Sequence, residues 1–173
     1  MKVREVMGEP VFCGLDTTLA AAVELMRNND CGFLPIVGEG GNVIGVITDR
    51  DICIALGTRN QKPSDVLVKD VLLPKQCTFP KLFACTPNDD IHSVLKTMRT
   101  EKVRRMPVID HEGGLLGILS MDDIVLRACA GAGKRDISCE DVVCQHRYKT
   151  TAFPSVLLLR REAYGEDAVR TLK

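Results

Sequence analysis

The sequence predicts an α/β (α+β) fold built from two β-α-β-β-α units, followed by a short C-terminal extension. Three observations carry that prediction. The phrase Gly45-Val-Ile-Thr-Asp-Arg-Asp-Ile52 returns as Gly117-Ile-Leu-Ser-Met-Asp-Asp-Ile124, 72 residues on, and a repeat at fixed spacing signals an internally duplicated chain. The same offset, without a gap, pairs Leu19 with Ile91, Met26 with Met98, Pro35 with Pro107 and Gly41 with Gly113. Within each copy the apolar pattern passes from a helical stripe to short apolar runs around a Gly-Gly turn, then to a second helix.

Upstream of the repeat, Val3-Arg-Glu-Val6 matches Val68-Lys-Asp-Val71 at an offset of 65. The second copy therefore holds seven extra residues, placed in the stretch Pro74-Lys-Gln-Cys-Thr-Phe-Pro-Lys-Leu-Phe83, because closure entropy grows slowly with loop length. The expected division is residues 1–66, 67–133 and an extension at 134–173. In the first copy Thr17 or Thr18 caps a helix over 18–29, with Leu19, Ala22, Val23 and Met26 on its apolar face. Phe33–Val37 and Val43–Ile47 form a hairpin around Glu39-Gly-Gly-Asn42, and a helix runs from Asp49 to Leu56 with Gly57 just past its end. In the second copy Asn88 caps a helix bearing Ile91, Val94, Leu95 and Met98; Met106–Ile109 and Leu115–Leu119 flank the turn His111–Gly114; the last helix spans Met121–Ala130. Such apolar strands imply a sheet covered on both faces or packed against its twin. Beyond Gly131, Ser138-Cys-Glu-Asp141 opens a short helix to Tyr148. The apolar segment Phe153–Leu159 lies on the body, pairs with a partner chain, or stays mobile.

Bulk properties exclude several functions. At 173 residues the chain suits one domain or two small ones, and a half alone, at about 60–65 residues, buries a marginal core. A formal net charge of zero calls for no nucleic-acid surface, and the absence of Trp argues against base stacking. No apolar run approaches the roughly 18 residues of a membrane span, and the opening Met1-Lys-Val-Arg-Glu-Val lacks the apolar core of a secretory signal. A reducing, cytoplasmic setting is expected, with Cys13, Cys31, Cys53 and Cys129 as small buried hydrophobes. Gly131-Ala-Gly-Lys-Arg135 lacks the spacing of a phosphate loop. Cys139, Cys144 and His146 lack a fourth metal ligand. With no nucleophile–base set either, neither an enzyme nor a metal site is expected. The acids Asp89 and Asp90 fit a helix start by dipole compensation.

The doubled phrase admits two readings. Thr48-x-x-Asp51 and Ser120-x-x-Asp123 resemble capping boxes, which satisfy orphan backbone donors. Against that, the third helical residue of a box is usually Glu or Gln, long enough to reach back, and here it is Asp twice. The ligand reading uses the same geometry. A helix N-terminus suits phosphate, Thr48 or Ser120 adds a hydroxyl donor, and Asp51 or Asp123 can accept from the vicinal diol of a ribose. The copies differ in charge: Arg104 and Arg105 stand where the first copy has Gly32 and Phe33, and Arg50 stands where the second has Asp122. An arginine fork at 104 or 105 suits a phosphate.

These phrases, with Val103-Arg-Arg-Met-Pro-Val-Ile-Asp110 and the Gly-Gly turns, resemble the cystathionine-β-synthase (CBS) domain family, as a tandem pair over about residues 1–130. The resemblance implies a Bateman module, two repeats packed through their sheets with pseudo-twofold symmetry and two clefts between them. It implies a non-catalytic sensor of adenosine-containing ligands: AMP, ADP or ATP, with S-adenosylmethionine or NAD as further candidates, and no required cofactor. Carried over, Thr48, Arg50 and Asp51 with Gly32, Phe33 and Leu34 line one cleft. Ser120 and Asp123 with Arg104, Arg105 and Met106 line the other. A homodimer and an unidentified regulated protein are the implied partners, with no nucleic acid and no membrane. The alternative is a ligand-free structural or interaction module that dimerises.

Overall fold

A computed structural model describes residues 1–72 and 82–130. Most of the seven-residue insertion, the Gly131–Arg135 stretch, the helix expected from Ser138, the Cys139–His146 group, the Phe153–Leu159 segment and the rest of the 134–173 extension lie outside the described residues.

A one-turn 3-10 helix at Val3–Glu5 comes first, then β1 (Cys13–Gly14), α1 (Leu19–Asn28), β2 (Phe33–Val37), β3 (Val43–Thr48) and α2 (Asp49–Arg59). A second 3-10 turn (Pro63–Asp65) leads to α3 (Val68–Leu72). The second repeat supplies α4 (Ile91–Glu101), β4 (Arg105–Ile109), β5 (Leu115–Ser120) and α5 (Met121–Ala130). The 72-residue offset survives in three dimensions. β2 pairs antiparallel with β3 from Phe33 opposite Thr48, and β4 with β5 from Arg105 opposite Ser120. Both hairpins are irregular at matching places, between Ile36 and Val37 and between Val108 and Ile109. Their turns need Gly41 and Gly113, at φ +79° and +87°, where a side chain is strained. β1 runs parallel to β2 with Cys13 beside Ile36, and Cys85 bridges Val108 in the same sense.

The order β-α-β-β-α is therefore realised in the first repeat and, with the single Cys85 bridge in place of a leading strand, in the second, but each repeat is completed by a segment from elsewhere. Val66 and the start of α3 dock on the first repeat: Leu19 N–H donates to Val66 O (2.8 Å), Val68 N–H to Thr17 O (2.9 Å) and Lys69 N–H to Leu15 O (3.0 Å). The chain's opening residues dock on the second in the same way. Ile91 N–H donates to Met1 O, Val3 N–H to Asp89 O and Arg4 N–H to Pro87 O, each at 3.1 Å. Side chains follow. Val66, Val68, Val71 and Leu72 join the core with Leu19, Leu34, Ile36 and Ile47. Val3 joins the core with Ile91, Met98, Met106 and Leu119, and Met1, Val6 and Met7 pack against it. Burying one such valine is worth about 1.5–3 kcal/mol. The hairpins meet at their turns, where Val43 N–H donates to Gly113 O (2.9 Å) and Asn42 pairs with Gly114. The matched contacts relate the repeats by pseudo-twofold symmetry.

Four local expectations are corrected. Val23 is 43% exposed, so the buried stripe of α1 is Leu19, Ala22 and Met26. α2 runs through Gly57 to Arg59 and ends at Asn60 in the left-handed region. Its last turn is held by Thr58 Oγ1 on Ile54 O (2.8 Å) and Arg59 Nη2 on Asp70 O (2.7 Å). The cap of α4 is Asp90, whose Oδ2 accepts from His92 N–H at 3.0 Å. Asn88 instead accepts from Arg4 Nη1 at 3.1 Å. Cys53 is exposed, on the outer face of α2.

The docked segments set different demands on two equivalent glycines. A Cβ on Gly117 would lie 2.9 Å from Gly8 O, which is itself held by Ile118 N–H, whereas one on Gly45 would meet side-chain methyls alone, of Leu72 at 3.6 Å and Ile36 at 3.8 Å. Gly117→Ala is expected to lower unfolding free energy by about 1–3 kcal/mol and Gly45→Ala by under about 1 kcal/mol; urea midpoints of the two variants check the difference.

Candidate functional site

Alternation along the strands sorts each sheet into two faces. Leu34, Ile36 and Ile47 point into the first core, so Phe33, Pro35 and Thr48 stand on the other face. Phe33 is buried yet belongs to neither core. In the second repeat Met106, Val108 and Leu119 point inward, leaving Arg105, Pro107 and Ser120 opposite. Each candidate hydroxyl thus sits on the non-core face, directly across the ladder from the strand-entrance residue: Thr48 from Phe33, Ser120 from Arg105. Leu34 and Met106 are fully buried in the cores, so on this face they present only main chain.

The carboxylates fold back onto the hydroxyls. Thr48 Oγ1 donates to Asp51 Oδ2 (2.7 Å) and accepts from Asp51 N–H (3.2 Å), while Thr48 N–H donates to the same Oδ2 (3.1 Å). In the second repeat Ser120 Oγ donates to Asp123 Oδ2, Ser120 N–H donates to it at 3.1 Å, and Asp123 N–H returns to Ser120 Oγ at 3.1 Å. Asp is therefore long enough for a complete capping box, against the sequence expectation. One oxygen reaches both the hydroxyl and the main-chain N–H of the cap residue. The two copies differ in depth: Asp51 is 2% exposed, with Oδ1 also buried, whereas Asp123 is half-buried.

The CBS domain family matches residues 3–58 and 68–128, one match per repeat. The chain belongs to the CBS domain family. An uncharacterised protein of Methanopyrus kandleri is 29% identical over 126 residues, covering 72% of this chain and 61% of that protein. Hypoxic response protein 1 of Mycobacterium tuberculosis is 34% identical over 122 residues, covering 70% and 80%. A solved structure of Hypoxic Response Protein I with two coordinated zinc ions superposes with TM-score 0.62 at 31% identity, covering 73% of this chain and 98% of that one. A CBS domain protein from Pyrobaculum aerophilum complexed with AMP superposes with TM-score 0.61 at 18% identity, covering 76% and 93%, a likeness of fold. CBS domain pair proteins are typically regulatory. The described residues contain no three His, Cys, Asp or Glu side chains grouped to hold a metal ion. No helix among them is long and apolar enough to cross a membrane.

The two CBS repeats surround their caps unequally. At the first, Gly32 O accepts from Asp49 N–H (3.2 Å), and the Asp49 carboxylate lies so close over Gly32 that a Cβ there would sit 2.7 Å from Oδ2. Sequence reasoning passed over Asp49, although its alignment with Met121 marks the site as different. At the second, Arg104 O accepts from Met121 N–H (2.9 Å), and Arg105 Nη2 lies 3.6 Å from Asp122 Oδ2. Both partners of that pair are more than a third exposed, so it is weak and the guanidinium can exchange Asp122 for an anion. Arg50 and Arg104 are exposed at their respective entrances.

Two buried thiols flank this architecture. Burial pushes Cys13 up to about 11, and burial with the nearby Asp89 charge pushes Cys85 up to about 12. The Cys85 thiol donates to Pro107 O at 3.9 Å. In the unfolded chain both ionise near 9.0. Their contribution to stability is therefore full below pH 9 and is lost as pH climbs through the folded values. Site-resolved labelling with a disulfide reagent at pH 8 should modify exposed Cys53 in the native protein and reach Cys13 and Cys85 only on unfolding. Thr48→Ala and Ser120→Ala should each cost about 1 kcal/mol through the lost cap, roughly 2–8 °C in Tm by calorimetry.

Proposed function

We propose that this chain is a non-catalytic regulatory module whose two clefts between CBS repeats bind adenosine-containing ligands of the AMP, ADP and ATP class. The observation that carries the reading is the twice-built pairing of a hydroxyl with a carboxylate at a helix start, on the sheet face turned away from either core. Thr48 and Asp51 would hold ribose and its substituent in one cleft, Ser120 and Asp123 in the other. Gly32, Phe33 and the Leu34 main chain would border the first, and Arg104, Arg105 and the Met106 main chain the second. The AMP complex of a protein of the same fold supports the ligand class. S-adenosylmethionine and NAD share the adenosyl group and belong to the same candidate set. The reading also takes the protein to be a cytoplasmic homodimer that signals to a regulated partner.

One observation favours a second reading, a ligand-free interaction module: each hydroxyl–carboxylate pair already satisfies itself as a cap. Thermal shift separates the two. A ligand at a hundredfold excess over Kd adds about 2.7 kcal/mol, several degrees for a domain of this size. At least one of AMP, ADP, ATP, S-adenosylmethionine and NAD should raise Tm by that amount, and Asp51→Ala or Asp123→Ala should remove the share of one cleft. A flat response to all five compounds sinks the sensor reading in favour of the scaffold.

A further inference from the structure

The two clefts differ in what each helix start leaves for an anion. In α2 the first three main-chain N–H groups are all engaged: Asp49 N–H on Gly32 O (3.2 Å), Arg50 N–H on Asp49 Oδ1 (2.7 Å) and Asp51 N–H on Thr48 Oγ1 (3.2 Å). In α5 the first is held by Arg104 O (2.9 Å) and the third by Ser120 Oγ (3.1 Å). The second, on Asp122, meets no acceptor among the described residues. One side chain makes this difference. The carboxylate at position 49 closes its own helix terminus, and the aligned residue in α5 is Met121.

Position 32 completes the device. The Asp49 carboxylate occupies the space a Cβ on Gly32 would need, 2.7 Å from Oδ2, so glycine there admits the negative charge to the strand entrance. The aligned residue of the second repeat is Arg104, followed by Arg105. An incoming phosphate at the start of α2 therefore meets the Asp49 and Asp51 carboxylates beside Arg50 and finds the first three N–H groups taken. At the second it meets the Arg105 guanidinium beside Asp122 and Asp123, with Arg104 the residue before it and one N–H that meets no acceptor among the described residues, the arrangement that favours anions at helix starts.

We infer that Asp49 is a specificity-determining residue that shuts phosphate out of the first cleft, which takes an adenosyl group without phosphate while the second takes a phosphorylated nucleotide. The inference rests on the adenosyl reading of the clefts proposed above. Isothermal titration of the full chain with AMP and with adenosine tests it. Wild type should bind one AMP per chain and should still bind adenosine when saturated with AMP. That adenosine binding should disappear in Asp51→Asn. Because Asp49 is exposed, Asp49→Asn leaves the fold intact; it should admit a second AMP and raise AMP affinity at the first cleft by about tenfold, as removal of one close like charge allows. Two equivalent AMP sites in wild type, or an Asp49→Asn stoichiometry still at one, overturns the role of Asp49 while leaving the adenosyl reading intact. If wild type binds neither compound, that reading fails and this one with it.

Discussion

The structure depends on a crossed main-chain docking. Two helix starts, Leu19 of α1 and Ile91 of α4, have their first N–H satisfied by carbonyls of Val66 and Met1, residues outside the β-α-β-β unit they serve. Leaving such buried donors unmet costs roughly 1–3 kcal/mol each, and the valines that follow the carbonyls plug the cores beneath. Each segment thus caps a helix and closes a core at once. The helices so fixed cover the inner face of each hairpin, and that leaves the outer face, with Thr48 or Ser120 at its end, for other work.

That outer face carries a chemical economy. A hydroxyl and a carboxylate that hold a helix start in place are also the groups that a sugar diol and a phosphate ester can engage. On the proposed function the cap is a resting arrangement of the site. A ligand bound there would have to match what the cap already provides, and the deeper burial of Asp51 than of Asp123 would make the exchange of partners harder in the first repeat than in the second.

Much of this was legible because duplication gave the sequence its own internal comparison. The offset of 72 aligned both hairpins, both irregularities and both helices, and the shift to 65 marked the docking segments, though not that they cross. Crossing is invisible to periodicity: Val3 and Val68 have the same neighbours in sequence whichever core they enter. The misreadings were local and physical. Asn88 and Asp90 are both good caps, and the choice fell to Asp90 because Arg4 claims Asn88. Gly57 looked like a helix end, but Thr58 and Arg59 found carbonyl partners that carried the helix to Asn60. The aspartates seemed too short for a capping box until the geometry placed a single oxygen between two donors. Asp49 drew no notice because its effect comes through a glycine seventeen residues earlier.

The crossed docking also imposes an order on biosynthesis. Val3 and Arg4 are synthesised well before their partners Pro87 and Asp89, and Met1 well before Ile91. At ribosomal rates of about 5–20 residues per second, Val3 and its apolar neighbours wait on the order of 4–17 seconds with no native site to enter. The first repeat meets no such delay, since Val66–Leu72 follow it directly. The nascent protein therefore gathers the segments of one core in sequence while Val3 waits for the helix and hairpin of the other.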